Sequence, residues 1–350
     1  MFSLLFIFAS LALQAYSAPS PISCAGNKIV NPNPNGFAFP FGWTTDQPAP
    51  PMLRSDTPCV WTVTVPPGKF AKLAIRGKIG DQNSDIQVID CNGHSSYSNE
   101  ENLVPYFLPA PKFHIQLKTR YSNDDDTFAF QITWADLPTA KSNVYIDSNN
   151  VTVRTTTDLK TLHSMTADTR VAFVLIPEVP RDYSKMRSVF VFDGPSMEST
   201  YIGSLASLSQ FREAYFSSGK SMTMVNVDTD SESQDLVLIQ DYSNTKDYDT
   251  YIGIACDADG LCDNSAYPPE LSQTVYISAS NANDTIESIT MEAYWGTFSV
   301  YSGVIKPSNL ITTVNGDHNS LKNFLPTSFP GYIKQYVVSH DNSNLKIRRH

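Results

Sequence analysis

Along most of the chain, apolar residues alternate with polar ones over four to eight positions, and the apolar set is rich in β-branched and aromatic side chains. That pattern sets one face of a strand against a core and the other toward water. The stretch 60–65 reads Val-Trp-Thr-Val-Thr-Val and is stopped by Pro66, Pro67 and Gly68; stretches 70–75, 86–89, 113–117 and 128–134 continue the series. Helical spacing is nearly absent. The exception is 205–216, where Leu205, Leu208, Phe211, Ala214 and Tyr215 predict one short amphipathic helix. Short strands punctuated by Pro, Gly, Asn, Ser and Asp indicate antiparallel sandwiches rather than βαβ units, so the fold class is all-β.

The strand pattern recurs. Residues 86–90 (Ile-Gln-Val-Ile-Asp), 189–193 (Val-Phe-Val-Phe-Asp) and 298–302 (Phe-Ser-Val-Tyr-Ser) each alternate, end on Asp or Ser, and run into a glycine turn. Their ends lie 103 and 109 residues apart. A variable loop and a second strand follow each, at 112–117, 222–227 and 332–338. An acidic or Asn-rich loop then leads to a closing strand, read at 128–132, 251–254 and 345–347. A period near 100 residues implies three related units. They run over 22–137, 144–262 and 270–350, the last being shorter, with polar connectors between them.

Composition narrows the setting. Charged residues make up 17% of the chain, the formal net charge is −10 and the pI is near 5.0, which excludes a nucleic-acid binder needing a basic face. Residues 1–17 read as a secretory signal, with an apolar run from Leu4 to Leu13 and small residues Ala15 and Ser17 at the positions a signal peptidase reads. No later apolar run is long enough for a transmembrane anchor. Cys24, Cys59, Cys91, Cys256 and Cys262 follow the signal. Export to an oxidising compartment favours pairing of four of the five, as Cys24–Cys59 and Cys256–Cys262. Loop closure makes these bridges worth about 4 and about 2.5 kcal/mol. Cys91 is left as a buried thiol, an intermolecular partner, or a sign of a different pairing. Asn150-Val-Thr and Asn283-Asp-Thr are glycosylation sequons in polar surroundings.

Cys24, the segment Pro40-Phe-Gly-Trp43, and Cys59-Val-Trp61 running through an alternating strand into Pro66-Pro-Gly68 together resemble the nematode CUB-like domain family. Phe192-Asp-Gly-Pro-Ser196, with Gly203 nine residues beyond Gly194, and Ser217-Ser-Gly-Lys220 before a strand, resemble general CUB domains. The resemblance implies tandem CUB-like jelly-roll β-sandwiches and membership of a group of secreted, infection-responsive proteins of innate defence. The residues themselves read as structural: Trp43 and Trp61 as core aromatics, and the Cys24–Cys59 bridge as a staple between the N-terminal segment and a sheet.

The search for chemistry yields little. Calcium-binding CUB domains place an Asp seven residues before the turn glycine. Here those positions hold Arg187 and Gly296, and either Ile86 or, allowing for the extra Cys91, Ser84. With six to eight oxygen ligands needed, no metal site and no cofactor are expected. Asp228-Thr-Asp-Ser-Glu232 and Asp124 to Asp126 read as solvated loops. Asp90 and Asp193 read as strand-end residues accepting backbone hydrogen bonds rather than catalytic carboxylates. His94, His114, His163, His318, His340 and His350 have no zinc-site spacing. No catalytic residue is nominated. The chain reads as a secreted, non-enzymatic binding protein whose ligand is a microbial glycan or a host surface protein, with loops at 95–102 and 241–251 as contact candidates. The alternatives are an extracellular structural or adhesive matrix component, and a hydrolase with a convergent site.

Overall fold

The computed structural model describes residues 22–47, 49–54, 58–79, 85–98, 102–118, 126–209, 214–230, 232–267, 272–292, 295–339 and 342–350. Residues 1–17, Ser84, Asp124, Phe211 and His340 lie outside them. The alternating stretches become strands. The first group is β1 (Gly26–Val30), β2 (Phe37–Phe39), β3 (Cys59–Thr64), β4 (Lys69–Lys78), β5 (Asp85–Ile89), β6 (Ser95–Ser98), β7 (Asn102–Pro109), β8 (Lys112–Lys118) and β9 (Thr127–Asp136). The second is β10 (Lys141–Ile146), β11 (Thr152–Thr155), β12 (Leu162–Ala167), β13 (Val171–Ile176), β14 (Val189–Asp193), β15 (Thr200–Ser204), β16 (Tyr215–Phe216), β17 (Ser221–Asn226) and β18 (Leu236–Asp241). The third is β19 (Thr250–Gly253), β20 (Leu261–Ala266), β21 (Gln273–Ala279), β22 (Asp284–Met291), β23 (Thr297–Ser302), β24 (Leu310–Asn315), β25 (Thr327–Phe329), β26 (Ile333–Ser339) and β27 (Ser343–Arg349).

Each group makes a five-stranded and a four-stranded sheet, and the strand order is the same three times. It is β1-β3-β8-β5-β6 over β2-β9-β4-β7, then β10-β12-β17-β14-β15 over β11-β18-β13-β16, then β19-β21-β26-β23-β24 over β20-β27-β22-β25. The first pair of each five-stranded sheet is parallel (β1/β3, β10/β12, β19/β21). The turns after Ile89, Phe192 and Tyr301 therefore end equivalent strands, β5, β14 and β23. The three sequence segments share a place because the same jelly-roll is used three times.

Each pair of sheets encloses a core. Trp61, Leu73, Phe113, Phe128 and Phe130 fill the first, and Trp43 is buried too. Phe173, Met186, Met222, Met224 and Ile239 fill the second. Tyr276, Phe298, Tyr336, Leu345 and Ile347 fill the third. Cys24–Cys59 ties the segment before β1 to β3, and Cys256–Cys262 closes the loop between β19 and β20.

Two expectations are corrected. The segment 251–254 does not close the second unit. β19 pairs with β21, and β20 with β27, so both open the third sandwich, while β18 closes the second. The third sandwich thus has a full set of nine strands, beginning near Thr250 rather than at 270. The short strand β19 follows a turn at Tyr242–Asn244, and its few residues resemble a strand end as well as a strand beginning. The helix expected over 205–216 covers Leu205–Leu208 (α1), and Tyr215 and Phe216 instead pair with Phe173 and Ala172 as β16. Sheet pairing overrides a weak helical spacing there. A second helix, α2 (His318–Phe324), is capped by Asp317, whose side chain accepts a hydrogen bond from the Ser320 N–H.

The sandwiches stack in one direction. The outer face of the first four-stranded sheet, through Phe70 and Phe107, packs on the outer face of the second five-stranded sheet at Leu162, Phe190, Phe192 and Val225. Phe70 and Phe190 meet edge to face at 6.1 Å. The second four-stranded sheet repeats the arrangement: Val174, Ile176 and Leu238 pack on Val275, Ile277 and Val337 of the third five-stranded sheet. At this second junction β19 passes so close to β13 that a Cβ on Gly253 would fall on the Leu175 carbonyl oxygen.

Candidate functional site

The polar residues singled out in the sequence are largely occupied by structural bonds. Asp90 ends β5, and one of its carboxylate oxygens accepts hydrogen bonds from the Asn92 and His94 N–H groups at 2.9 Å each. Its other oxygen lies 3.1 Å from His94 Nδ1 and accepts from the Tyr201 hydroxyl at 3.3 Å. This cluster sits at the rim of the first junction. The hydrogen bond to Asp90 raises the His94 pKa above its ordinary value despite partial burial, and burial pushes the Tyr201 phenol well up. Cys91 is half-buried and unbridged, and its thiol is pushed up to about 11 by burial and then by Asp90, so little thiolate forms at neutral pH. Asp193 accepts the Ser218 N–H at 2.9 Å.

Arg187, seven residues before Gly194, stacks its guanidinium 4.1 Å over the Tyr106 ring and donates to the Val104 carbonyl. It crosses from the second sandwich to the first and serves as a clamp. Ile86 is buried in the first core. Asp126 is buried, and Asp228 accepts the Asp230 N–H within its own loop. His163 is bonded to the Asp158 carbonyl and Thr161, and His114 to Thr62. No group of three or more His, Cys, Asp or Glu able to hold a metal occurs among the described residues.

The two contact segments named above differ. Ser95–Ser98 is a strand rather than a loop, and it holds Tyr97 62% exposed at the sheet edge. In 241–251, Asp241 is fully engaged by Thr169 and Ser243. Tyr242 lies 4.2 Å from the Arg170 guanidinium, and Tyr248 meets Tyr251 edge to face at 6.1 Å. Asn150 and Asn283 are both exposed.

Tyr251 leads to the feature the sequence did not announce. At the rim of the second junction a cleft of about 560 Å³ opens between the second and third sandwiches, within the range of about 300–1,000 Å³ common for ligand sites. Tyr183, Tyr215, Pro177 and Pro180 come from the second sandwich, and Tyr251, Asp257, Asp263 and Asn264 from the third, with Arg181 at the mouth. Tyr251 is 3% exposed, and among the described residues neither its hydroxyl nor Asn264 Nδ2 has a hydrogen-bond partner. Burial raises the Tyr251 phenol far above its usual range, so it stays neutral. Asp263 is held low by bonds from Asn344 and Lys346. Other buried polar atoms without partners among the described residues, such as Trp61 Nε1, Tyr106 Oη and Thr274 Oγ1, lie away from this cleft. Its walls come from segments spread over residues 175–344, so no local motif could have flagged it.

Residues 20–138 match the family model of the CUB-like domain, and the first sandwich is a CUB-like domain. Residues 143–227 and 243–350 match two further models, each described as a domain of unknown function (DUF7592 and DUF7591). No curated protein matches the chain. Similar solved structures include the CUB1-EGF-CUB2 domains of rat MASP-1, at 10% identity over 62% of this chain and 100% of that one, with a TM-score of 0.25. The corresponding human MASP-1/3 domains have 11% identity over 55% and 96%, with a TM-score of 0.22. The full extracellular region of zebrafish Gpr126/Adgrg6 has 8% identity over 93% and 53%, with a TM-score of 0.25. CUB domains are typically non-catalytic binding modules of extracellular proteins, and paired disulfides fit that setting. No helix among the described residues is long and apolar enough to cross a membrane.

Proposed function

We propose that the chain is a secreted, non-enzymatic binding protein of innate defence, made of three CUB-like sandwiches that divide near residues 140 and 246. The observation that carries the binding role is the contrast in side-chain use. The carboxylates and imidazoles singled out for chemistry are bonded within turns and junctions, while the side chains of the second-junction cleft line an open space of about 560 Å³ beside the edge of β20. The defence context rests on the family resemblance and is an inference by association. The ligand is a microbial glycan or a surface protein. Exposed Asn150 and Asn283 carry N-linked glycans in this reading, both in sequons on polar segments.

The test is expression profiling with and without pathogen, joined to pull-down of the glycosylated protein on bacterial and cuticular material. Induction with retention on bacteria supports the reading. Constant expression with retention on cuticle supports a matrix component instead, and neither induction nor retention removes the defence role.

A further inference from the structure

The second-junction cleft is bounded by strand edges, and this sets what it can hold. β20 is the outermost strand of its sheet and pairs with β27 alone. Three consecutive residues of β20 (Asp263, Asn264 and Ser265) line the cleft. Successive side chains of a strand point to opposite faces, so a cavity reached by three in a row lies against the strand's edge. The ladder fixes which backbone groups point there. Gly260 accepts the Arg349 N–H at 2.9 Å, whereas the Leu261 carbonyl accepts from Asp257 N–H and its own N–H goes to Asp259. Leu261 thus faces away from β27, and by the alternation of an antiparallel pair so does Asp263. Its N–H and C=O are directed off the open edge.

We infer that this cleft binds an extended peptide segment of a partner protein, which adds to β20 as a further strand and seats an apolar side chain between Pro177, Pro180 and Tyr215. This rests on the binding role proposed above and names its ligand class. Strand addition satisfies the edge groups of Asp263 by main-chain hydrogen bonds and leaves side-chain pockets to give specificity. The peptide is uncharged beside Asp263, because Lys346 and Asn344 already occupy that carboxylate. A saccharide would leave the strand edge unpaired.

The experiment selects heptapeptides from a random phage-displayed library on the full chain and measures binding of the synthetic peptides. Asp263→Pro removes the edge N–H at a position where the ladder does not use it, and Asp263→Asn is the control that keeps it. The expected result is binders that lose at least tenfold in affinity to Asp263→Pro, little to Asp263→Asn, and at least tenfold when alternate peptide amides are N-methylated. N-methylation leaves the protein untouched, so it decides the matter should Asp263→Pro fail to fold. Selection of no peptide, or of peptides indifferent to N-methylation, overturns strand addition. The binding role stands or falls separately, on the pull-down above.

Discussion

The two junctions use one arrangement and differ at the rim. Each lays the outer face of a four-stranded sheet on the five-stranded sheet of the next sandwich. At the first, Asp90, His94, Tyr201 and Arg187 knit one part of the rim around a cavity of about 20 Å³, where the Tyr106 hydroxyl has no partner among the described residues, and a further cleft of about 300 Å³ lies between Val104, Pro105 and Phe107 and the facing Lys185, Asp228 and Ser233. At the second, prolines, tyrosines and strand edges leave about 560 Å³ open, with polar atoms unpaired. The apolar faces set how the sandwiches stack, and the rim residues decide how much of each seam stays open.

If the apolar faces hold the stack, Phe190→Ala, which empties the centre of the first junction, should cost about 3–5 kcal/mol in chemical denaturation. Val60→Ala, on the first five-stranded sheet where no neighbour packs among the described residues, should cost well under half as much. Equal costs would break the account of the stack. At the second junction, Gly253→Ala forces β19 away from β13 and should cost about 1–3 kcal/mol. Limited proteolysis should then show earlier cutting between β18 and β19.

The first rim should also respond to pH. His94 has its pKa raised by Asp90, so its contribution to stability is full below the unfolded value near 6.5 and is lost as pH rises through the folded value. Its partial exposure keeps the effect below about 1 kcal/mol. His163 and His114 are lowered by burial and act in the opposite sense. The measurement is therefore the difference between wild type and His94→Gln in denaturation midpoint at pH 5.5 and 8.5, with the gap larger at the lower pH. The smallest effect belongs to the open rim. Tyr251→Phe removes a buried hydroxyl that bonds to nothing and should change stability by less than about 0.5 kcal/mol, or raise it. A loss beyond about 1 kcal/mol would mean the hydroxyl has a structural partner.

Strand β3 was plain in the sequence because it alternates: Trp61 and Val63 are buried while Val60 and Thr62 are half-exposed. Strands β13 and β14 are buried on both faces, which hides how each face is used. Val171 and Phe173 face their own core, and Val174 and Ile176 face the next sandwich. Once both faces are covered, period-two alternation disappears and with it any sign of which face meets which neighbour. The same loss explains the misplaced boundary at β19, a short segment with cores on both sides. For the candidate site, the sequence named the segment 241–251, and of it the cleft takes Tyr251; Tyr183, Tyr215 and Asn264 join it by packing alone.

The sequence by itself determined the β-class, the threefold recurrence, the glycine turns that close β5, β14 and β23, and a cysteine set whose bridges the structure contains. These are local: they depend on alternation, turn chemistry and spacing along one chain. Tertiary structure decided the direction of stacking, the start of the third sandwich, and the cleft. Each of these depends on which apolar face meets which, and that contact joins residues far apart in sequence.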